Sequence, residues 1–205
     1  MRTLASAIAV LLLSLGAFLP AQESSLAFVG VNVVPMDRET VLSDHTVVIR
    51  GDRIVEIGPS ATTKAPAGAT VVEARGKYLM PGLAELHGHL MGDNDALNER
   101  VLLLNVSRGI TTIRGMLGHP SHLKLRERVR RGELIGPTIY TSGPSLSGNT
   151  VKDEESARRL VREQKAAGYD FLKIHPGMLR GPFDALAATA DEVGIRFAGH
   201  VPVDV

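Results

Sequence analysis

The sequence predicts a protein of the α/β class, in which a small β domain precedes a region of alternating strands and helices. Short segments rich in Val and Ile, separated by turn residues, occupy residues 26–79. From residue 81 onward, short apolar segments alternate with longer segments of helical pattern. A glycine follows each predicted helix, at the position where a left-handed residue commonly ends one.

Residues 1–21 are typical of a secretory signal peptide. Met1 and Arg2 give a positively charged start, Leu4 to Leu19 is mainly apolar, and a small-residue cleavage position lies near Ala21. A single membrane span is less favoured, because the apolar part is short for a span of about 20 residues and no stop-transfer charges follow. We expect a periplasmic or extracellular protein that meets the membrane only through this peptide during export.

Residues 22–80 form the predicted small β domain. The turn residues Gly51-Asp52-Arg53 between two apolar segments indicate a β-hairpin. The predicted strands are Ala27–Val34, Thr46–Arg50, Ile54–Ile57, Val71–Glu73 and Tyr78–Met80.

Residues 81–205 form the predicted β/α region. Its strands are Leu83–His87, Ile110–Arg114, Thr138–Thr141, Phe171–Ile174 and Ile195–His200. Its helices are Asp95–Arg108, Ser121–Arg131, Lys152–Ala167 and Pro182–Val193. This alternation predicts a parallel sheet, and both a doubly wound sheet and a (β/α)8 barrel fit it. Nucleotide binding on a doubly wound sheet is disfavoured, because no glycine-rich phosphate loop follows the first strand.

Composition excludes several classes of site. Lys plus Arg (23) nearly equals Asp plus Glu (22), so no excess of positive charge indicates a nucleic-acid partner. The absence of cysteine excludes disulfides, thiolate metal sites and a cysteine nucleophile. Any metal must therefore be held mainly by histidine or by carboxylate-like oxygen.

Histidine and lysine recur at the ends of the predicted strands. His87 and His89 follow the first strand, Lys173 and His175 belong to the fourth, and His200 ends the fifth. Alternate residues of a strand share a face, so His87 and His89 should project together. Each residue alone has a simple structural explanation, but their common location favours one site, since barrels place catalytic groups at these ends. His119, in a loop, and His122, on a helix, do not share the location and are expected to be solvated.

Lys173 differs from the others because an ammonium group has no lone pair for a metal. Burial lowers a lysine pKa by disfavouring the charged form. A neutral amine can add carbon dioxide and become a carbamate, which is an oxygen ligand able to bridge two cations. The apolar neighbours Phe171, Leu172 and Ile174 favour this chemistry.

Four ordered motifs resemble the amidohydrolase superfamily, and most closely its imidazolonepropionase-like branch, which includes prolidase-type peptidases. They are Met-Pro-Gly-Leu-Ala-Glu-Leu-His-Gly-His (80–89), Gly-Ile-Thr-Thr-Ile-Arg-Gly (109–115), Asp-Phe-Leu-Lys-Ile-His-Pro-Gly (170–177) and Phe-Ala-Gly-His-Val-Pro (197–202). The resemblance implies an incomplete (β/α)8 TIM barrel of about five strands and four helices, preceded by the small β domain.

The resemblance also implies a metal site and a reaction. His87 and His89 would bind the more buried of two metals, His200 the second, and Lys173 as a carbamate would bridge them. Zinc is the default metal, with manganese or iron as alternatives. The implied reaction is hydrolysis of a C–N bond in a cyclic amide or dipeptide by a metal-activated water. His175 shares a face with Lys173 and is expected to contact this small substrate.

Three departures from the family pattern qualify these expectations. Glu85 stands where the family usually has Asp, and Gly115 stands where it usually has an acidic residue. The sequence ends after strand five, so the family's metal-binding His of strand six and catalytic Asp of strand eight have no counterpart, and the catalytic residue of this chain is unknown. We therefore expect an N-terminal part of such a hydrolase that is inactive alone.

Two alternatives remain open at this point. The first is a catalytically inactive, truncated and exported amidohydrolase-like protein that binds a partner or associates with itself. The second is a small exported β/α binding protein with incidental histidines. This alternative is the least favoured, because it requires the four ordered motifs to be coincidental.

Overall fold

The structure, a computed structural model, describes residues 24–202. The predicted signal peptide at residues 1–21 lies outside the described residues. Within residues 24–202, no helix has both the length and the apolar character needed to cross a membrane. The chain divides into two compact units between Pro81 and Gly82.

The first unit is a five-stranded sheet. Its strands are β1 (Ser25–Val33), β2 (Leu42–Arg50), β3 (Arg53–Pro59), β4 (Thr70–Glu73) and β5 (Tyr78–Leu79). They run in the order β3-β2-β1-β4, with β5 also paired to β1. The predicted hairpin is confirmed: β2 and β3 are antiparallel, and Gly51 at the turn has a φ of 57°. A core of buried Val and Ala side chains, including Val31 and Val47, stabilises the sheet.

The second unit alternates five strands with four helices along residues 82–202. The strands are β6 (Leu83–Gly88), β7 (Ile110–Gly115), β8 (Thr138–Thr141), β9 (Phe171–Ile174) and β10 (Arg196–Gly199). The helices are α1 (Asp95–Ser107), α2 (Ser121–Arg130), α3 (Glu154–Ala166) and α4 (Arg180–Glu192). Every predicted element of this region is therefore present, with boundaries shifted by one or two residues.

The strands of the second unit are parallel and follow each other in chain order. One ladder joins β6, β7 and β8, and a second joins β9 and β10. Isolated bridges from Ser142 to Phe171 and from Leu146 to Ile174 connect the segment after β8 to β9. Parallel strands in chain order with intervening helices are the arrangement of a (β/α)8 barrel, and this unit is an incomplete one.

Local sequence explains where the helices begin and end. The glycines after all four helices, at positions 109, 132, 168 and 194, have φ values between 64° and 85°. The third helix begins at Glu154 and not at Lys152, because Asp153 is its N-cap and accepts a 2.7 Å hydrogen bond from the Ser156 N–H. The negative charges of Glu154 and Glu155 in the first turn stabilise the helix by interacting with the positive end of its dipole.

The core of the second unit lies between the strands and the helices. Ile113 of β7 packs with Leu102 and Leu125 of the helices, and Leu172 and Ile174 of β9 pack in a second cluster. Because side chains alternate along a strand, residues next to these project from the opposite face of the sheet, which is the barrel interior. Arg114 and Lys173 occupy such positions.

Candidate metal centre

The first histidine pair lies at the carboxyl end of β6. The ring centroids of His87 and His89 are 5.3 Å apart, and both side chains are exposed. The Glu85 carboxylate accepts a 2.7 Å hydrogen bond from the His87 N–H, so the residue that replaces the family's usual Asp fixes the strand end. A Cβ at Gly88 would lie 2.5 Å from the Ile113 side chain, so only glycine lets β6 pack this closely on its neighbour.

Lys173 lies within β9 and is 1% exposed. Its Nζ has no hydrogen-bond partner among the residues that the structure describes. Burial lowers the pKa of the Lys173 amine, and the positive charge of Arg114 lowers it further. An ammonium group buried without a partner is costly, so this position favours the neutral amine.

The second histidine pair lies where β9 and β10 end. The ring centroids of His175 and His200 are 4.8 Å apart in an edge-to-face arrangement. The His200 N–H donates a 3.0 Å hydrogen bond to the Ile174 carbonyl oxygen. A Cβ at Gly199, whose φ is 149°, would collide with that same oxygen, so glycine is needed for β10 to bring His200 beside His175.

Desolvation, followed by nearby positive charge, disfavours the protonated forms of His87, Lys173 and His175. Partial desolvation lowers the pKa of His87 although the side chain is exposed, and the charges of Lys173, His89, His200 and Arg114 lower it further. Burial also lowers the pKa of His175, followed by the charges of Lys173, His200 and the first pair. The neutral imidazole is therefore favoured at His87 and His175, and neutral imidazole carries the lone pair that a metal requires.

The charge of Lys173 acts on one histidine of each pair, His87 and His175, but the structure does not bring three predicted ligands of the usual kind together. Within residues 24–202, no group of three or more His, Asp or Glu side chains is close enough to hold a metal ion. The buried Lys173 Nζ without a described partner and the neutral imidazole favoured at His87 nevertheless fit the divalent metal that the resemblance implies, because a neutral amine and a neutral imidazole each offer a lone pair.

Sequence reasoning missed the role of Arg114. Its Nε donates a 2.7 Å hydrogen bond to the Leu86 carbonyl oxygen, directly before His87. Its guanidinium carbon lies 6.0 Å from the centre of the Phe171 ring. The alternation of Arg114 with the buried Ile113 could have placed this charge in the barrel interior.

The expectation that His122 is solvated is wrong. Its side chain is fully buried, and its Nε2 lies 3.2 Å from the Met91 carbonyl oxygen. His119 is half-buried, and its Nδ1 lies 2.9 Å from the Ser121 Oγ. His122 was missed because its burial depends on the loop after β6, which a helical pattern does not reveal.

No family model matches the chain, but individual proteins and solved structures are similar to it. The imidazolonepropionase of Streptomyces griseus is 42% identical over 129 residues, which are 59% of this chain and 32% of that protein. The crystal structure of a candidate prolidase from Bifidobacterium longum is 28% identical, with a TM-score of 0.77 over 87% of this chain and 49% of that chain.

These matches support an imidazolonepropionase-like member of the amidohydrolase superfamily, and this chain matches its N-terminal part. The structure of molinate hydrolase, at 17% identity and a TM-score of 0.77, shares the fold over 88% of this chain and 54% of that chain. This amidohydrolase chain spans about a third of the length of the curated relative and about half of the length of the solved ones.

The second departure from the family pattern also has a local explanation in this amidohydrolase chain. Gly115 ends β7 and is buried. Its carbonyl oxygen accepts hydrogen bonds from the Ser142 N–H and from the Ser142 Oγ, both at 3.1 Å. The position therefore links β7 to the segment after β8 through its backbone, without an acidic side chain.

Proposed function

We propose that this chain supplies the first, metal-binding part of a hydrolase that cleaves a C–N bond in a small cyclic amide or dipeptide. The observation that carries the proposal is the buried Lys173 amine, which has no partner in the described chain and interacts electrostatically with one histidine of each pair at the strand ends. A lysine needed only for solubility or packing would not be placed in this way.

The proposed ligands follow the superfamily pattern. His87 and His89 would hold one divalent metal, His200 a second, and Lys173 as a carbamate would bridge them; zinc is the proposed metal. A bound metal of this kind supplies Lewis-acid activation of water and of the substrate carbonyl.

Lys173 can enter this role because its environment favours the neutral amine. The amine nitrogen forms a bond to the carbon of carbon dioxide and releases a proton to water, which yields a carbamate anion. This anion would compensate the positive charges that now lower the pKa of His87 and His175. His175 lies beside His200 at the same strand ends, and we propose that it contacts the substrate.

The names of the relatives support the reaction class. An imidazolonepropionase, a candidate prolidase and molinate hydrolase are named for hydrolytic activities that include C–N bond cleavage. These names favour a hydrolase over an exported binding protein with incidental histidines.

We also propose that the protein is exported. The basis is the sequence of residues 1–21, with its charged start, apolar segment and small residues near Ala21. Export favours a peptide-derived substrate. Cell fractionation of the tagged chain and sequencing of its mature N-terminus test this: export with a start near residue 22 supports it, and an intact N-terminus in the cytosol contradicts it.

Metal titration of the 205-residue chain tests the proposed site. Wild-type protein should retain zinc, as measured by mass spectrometry after gel filtration. His87→Ala combined with His89→Ala should lose metal, whereas His45→Ala, which removes a histidine of the first unit, should not. Absence of retained metal in the wild type, or equal retention in the double variant, would contradict the proposal.

A further inference from the structure

The backbone N–H and carbonyl groups of Met91, two residues after His89, are held by side chains from two different helices. Asn98 of α1 accepts a 2.8 Å hydrogen bond from the Met91 N–H and donates a 2.6 Å hydrogen bond to the Met91 carbonyl oxygen. His122 of α2 places its Nε2 3.2 Å from the same oxygen. Both backbone groups of Met91 are thus bound by side chains.

The two side chains are buried more completely than polar residues normally are. Asn98 is 1% exposed and His122 is 0% exposed. Placing an amide and an imidazole in an apolar core is unfavourable unless their polar atoms are bonded, so the contacts with Met91 offset part of this cost, while the His122 Nδ1 has no partner among the described residues. Because the Met91 oxygen is an acceptor, the His122 Nε2 carries the proton and its Nδ1 is unprotonated.

The backbone around His89 is fixed on both sides. On one side, the Gly88 carbonyl oxygen accepts a 2.8 Å hydrogen bond from the Met116 N–H. On the other, Leu90 is fully buried in the core of the second unit, and Met91 is held by Asn98 and His122. His89 itself is exposed and makes no side-chain hydrogen bond within the described chain, so its position depends on these backbone anchors.

We infer that Asn98 and His122 are positioning residues for His89: from the helical layer, they hold the Met91 peptide and thereby fix the direction in which the His89 imidazole presents its lone pair. The inference rests on the proposed function, because it assigns a purpose to the rigidity of a proposed metal ligand. Groups that orient a ligand from behind typically change metal affinity by about 10- to 100-fold when they are removed.

Cobalt(II) titration of the full 205-residue chain, followed by visible absorption, tests the inference. His122→Leu and Asn98→Leu should each weaken cobalt affinity by about tenfold or more and alter the ligand-field bands. Ile139→Ala, in the same core cluster but on β8, is the matched control for lost stability and should keep wild-type affinity and bands.

Two amide variants separate positioning from folding if the leucine variants do not fold. The amide nitrogen of Gln reaches the position of the His Nε2, whereas that of Asn reaches only the position of Nδ1. His122→Gln should therefore stay within about threefold of wild-type affinity, and His122→Asn should lose about tenfold or more. Equal affinities for these two variants, or a loss in Ile139→Ala that matches His122→Leu, would overturn the inference. A wild-type chain that binds no cobalt would instead refute the proposed function.

Discussion

The strands β6 and β9 both carry proposed ligands near their carboxyl ends, but the two strands differ in how deeply they are buried. Most side chains of β6 are exposed, including Leu86 at 56%, whereas all four residues of β9 are buried. Within the described residues β6 pairs only with β7, while β9 pairs with β10 and is bridged to the segment after β8. Burial thus lowers the pKa of Lys173, whereas the position of the exposed His87 and His89 depends on hydrogen bonds of the neighbouring backbone.

The largest expected difference concerns stability. Leu172→Ala in β9 removes a fully buried side chain and should lower the free energy of unfolding by about 2–5 kcal/mol. Leu86→Ala in β6 removes an exposed one and should change it by less than about 0.5 kcal/mol. Urea unfolding of both variants measures this, and equal losses would show that β6 is as deeply packed as β9.

A smaller effect is expected at Lys173 itself. Lys173→Met replaces a buried, partnerless amine by an apolar chain of similar length, so the metal-free protein should gain about 1–3 kcal/mol of unfolding free energy. Lys124→Met, on the exposed surface of α2, is the control and should be close to neutral. A clear loss of stability in Lys173→Met alone would show that the amine has a stabilising partner.

The smallest expected effect is the pH dependence that His122 contributes behind β6. Burial lowers the pKa of this imidazole, and the bond to the Met91 carbonyl opposes the shift only in part. The unfolded chain therefore binds a proton below about pH 6.5 while the folded chain resists it, so stability is full above that pH and decreases as the pH falls towards the folded pKa.

Urea unfolding at pH 8, 6.5 and 5.5 checks the contribution of His122. The wild type should lose more stability over this range than His122→Gln, whose amide does not titrate. Parallel curves for the two proteins would show that His122 is not held in its neutral form.

Contacts that are local in sequence could be predicted, and contacts that depend on the third dimension could not. Strand alternation relates His87 to His89 and Lys173 to His175. The helix ends follow from the glycines after them and from the N-cap residue Asp153. The pairing of His175 with His200 needed the adjacency of β9 and β10. The burial of His122 needed the loop after β6 packed against α1 and α2, which a linear pattern does not contain. The interior position of Arg114 follows from strand alternation, but its hydrogen bond to the Leu86 carbonyl oxygen needed the pairing of β6 with β7.

The proposed metal site requires the Lys173 carbamate, and carbon-13 NMR of the chain with zinc and labelled bicarbonate detects that group. We expect one carbamate resonance in the wild type that persists in Lys124→Met and disappears in Lys173→Met. A zinc-bound wild type without this resonance, or a resonance that survives in Lys173→Met, would contradict the proposed site.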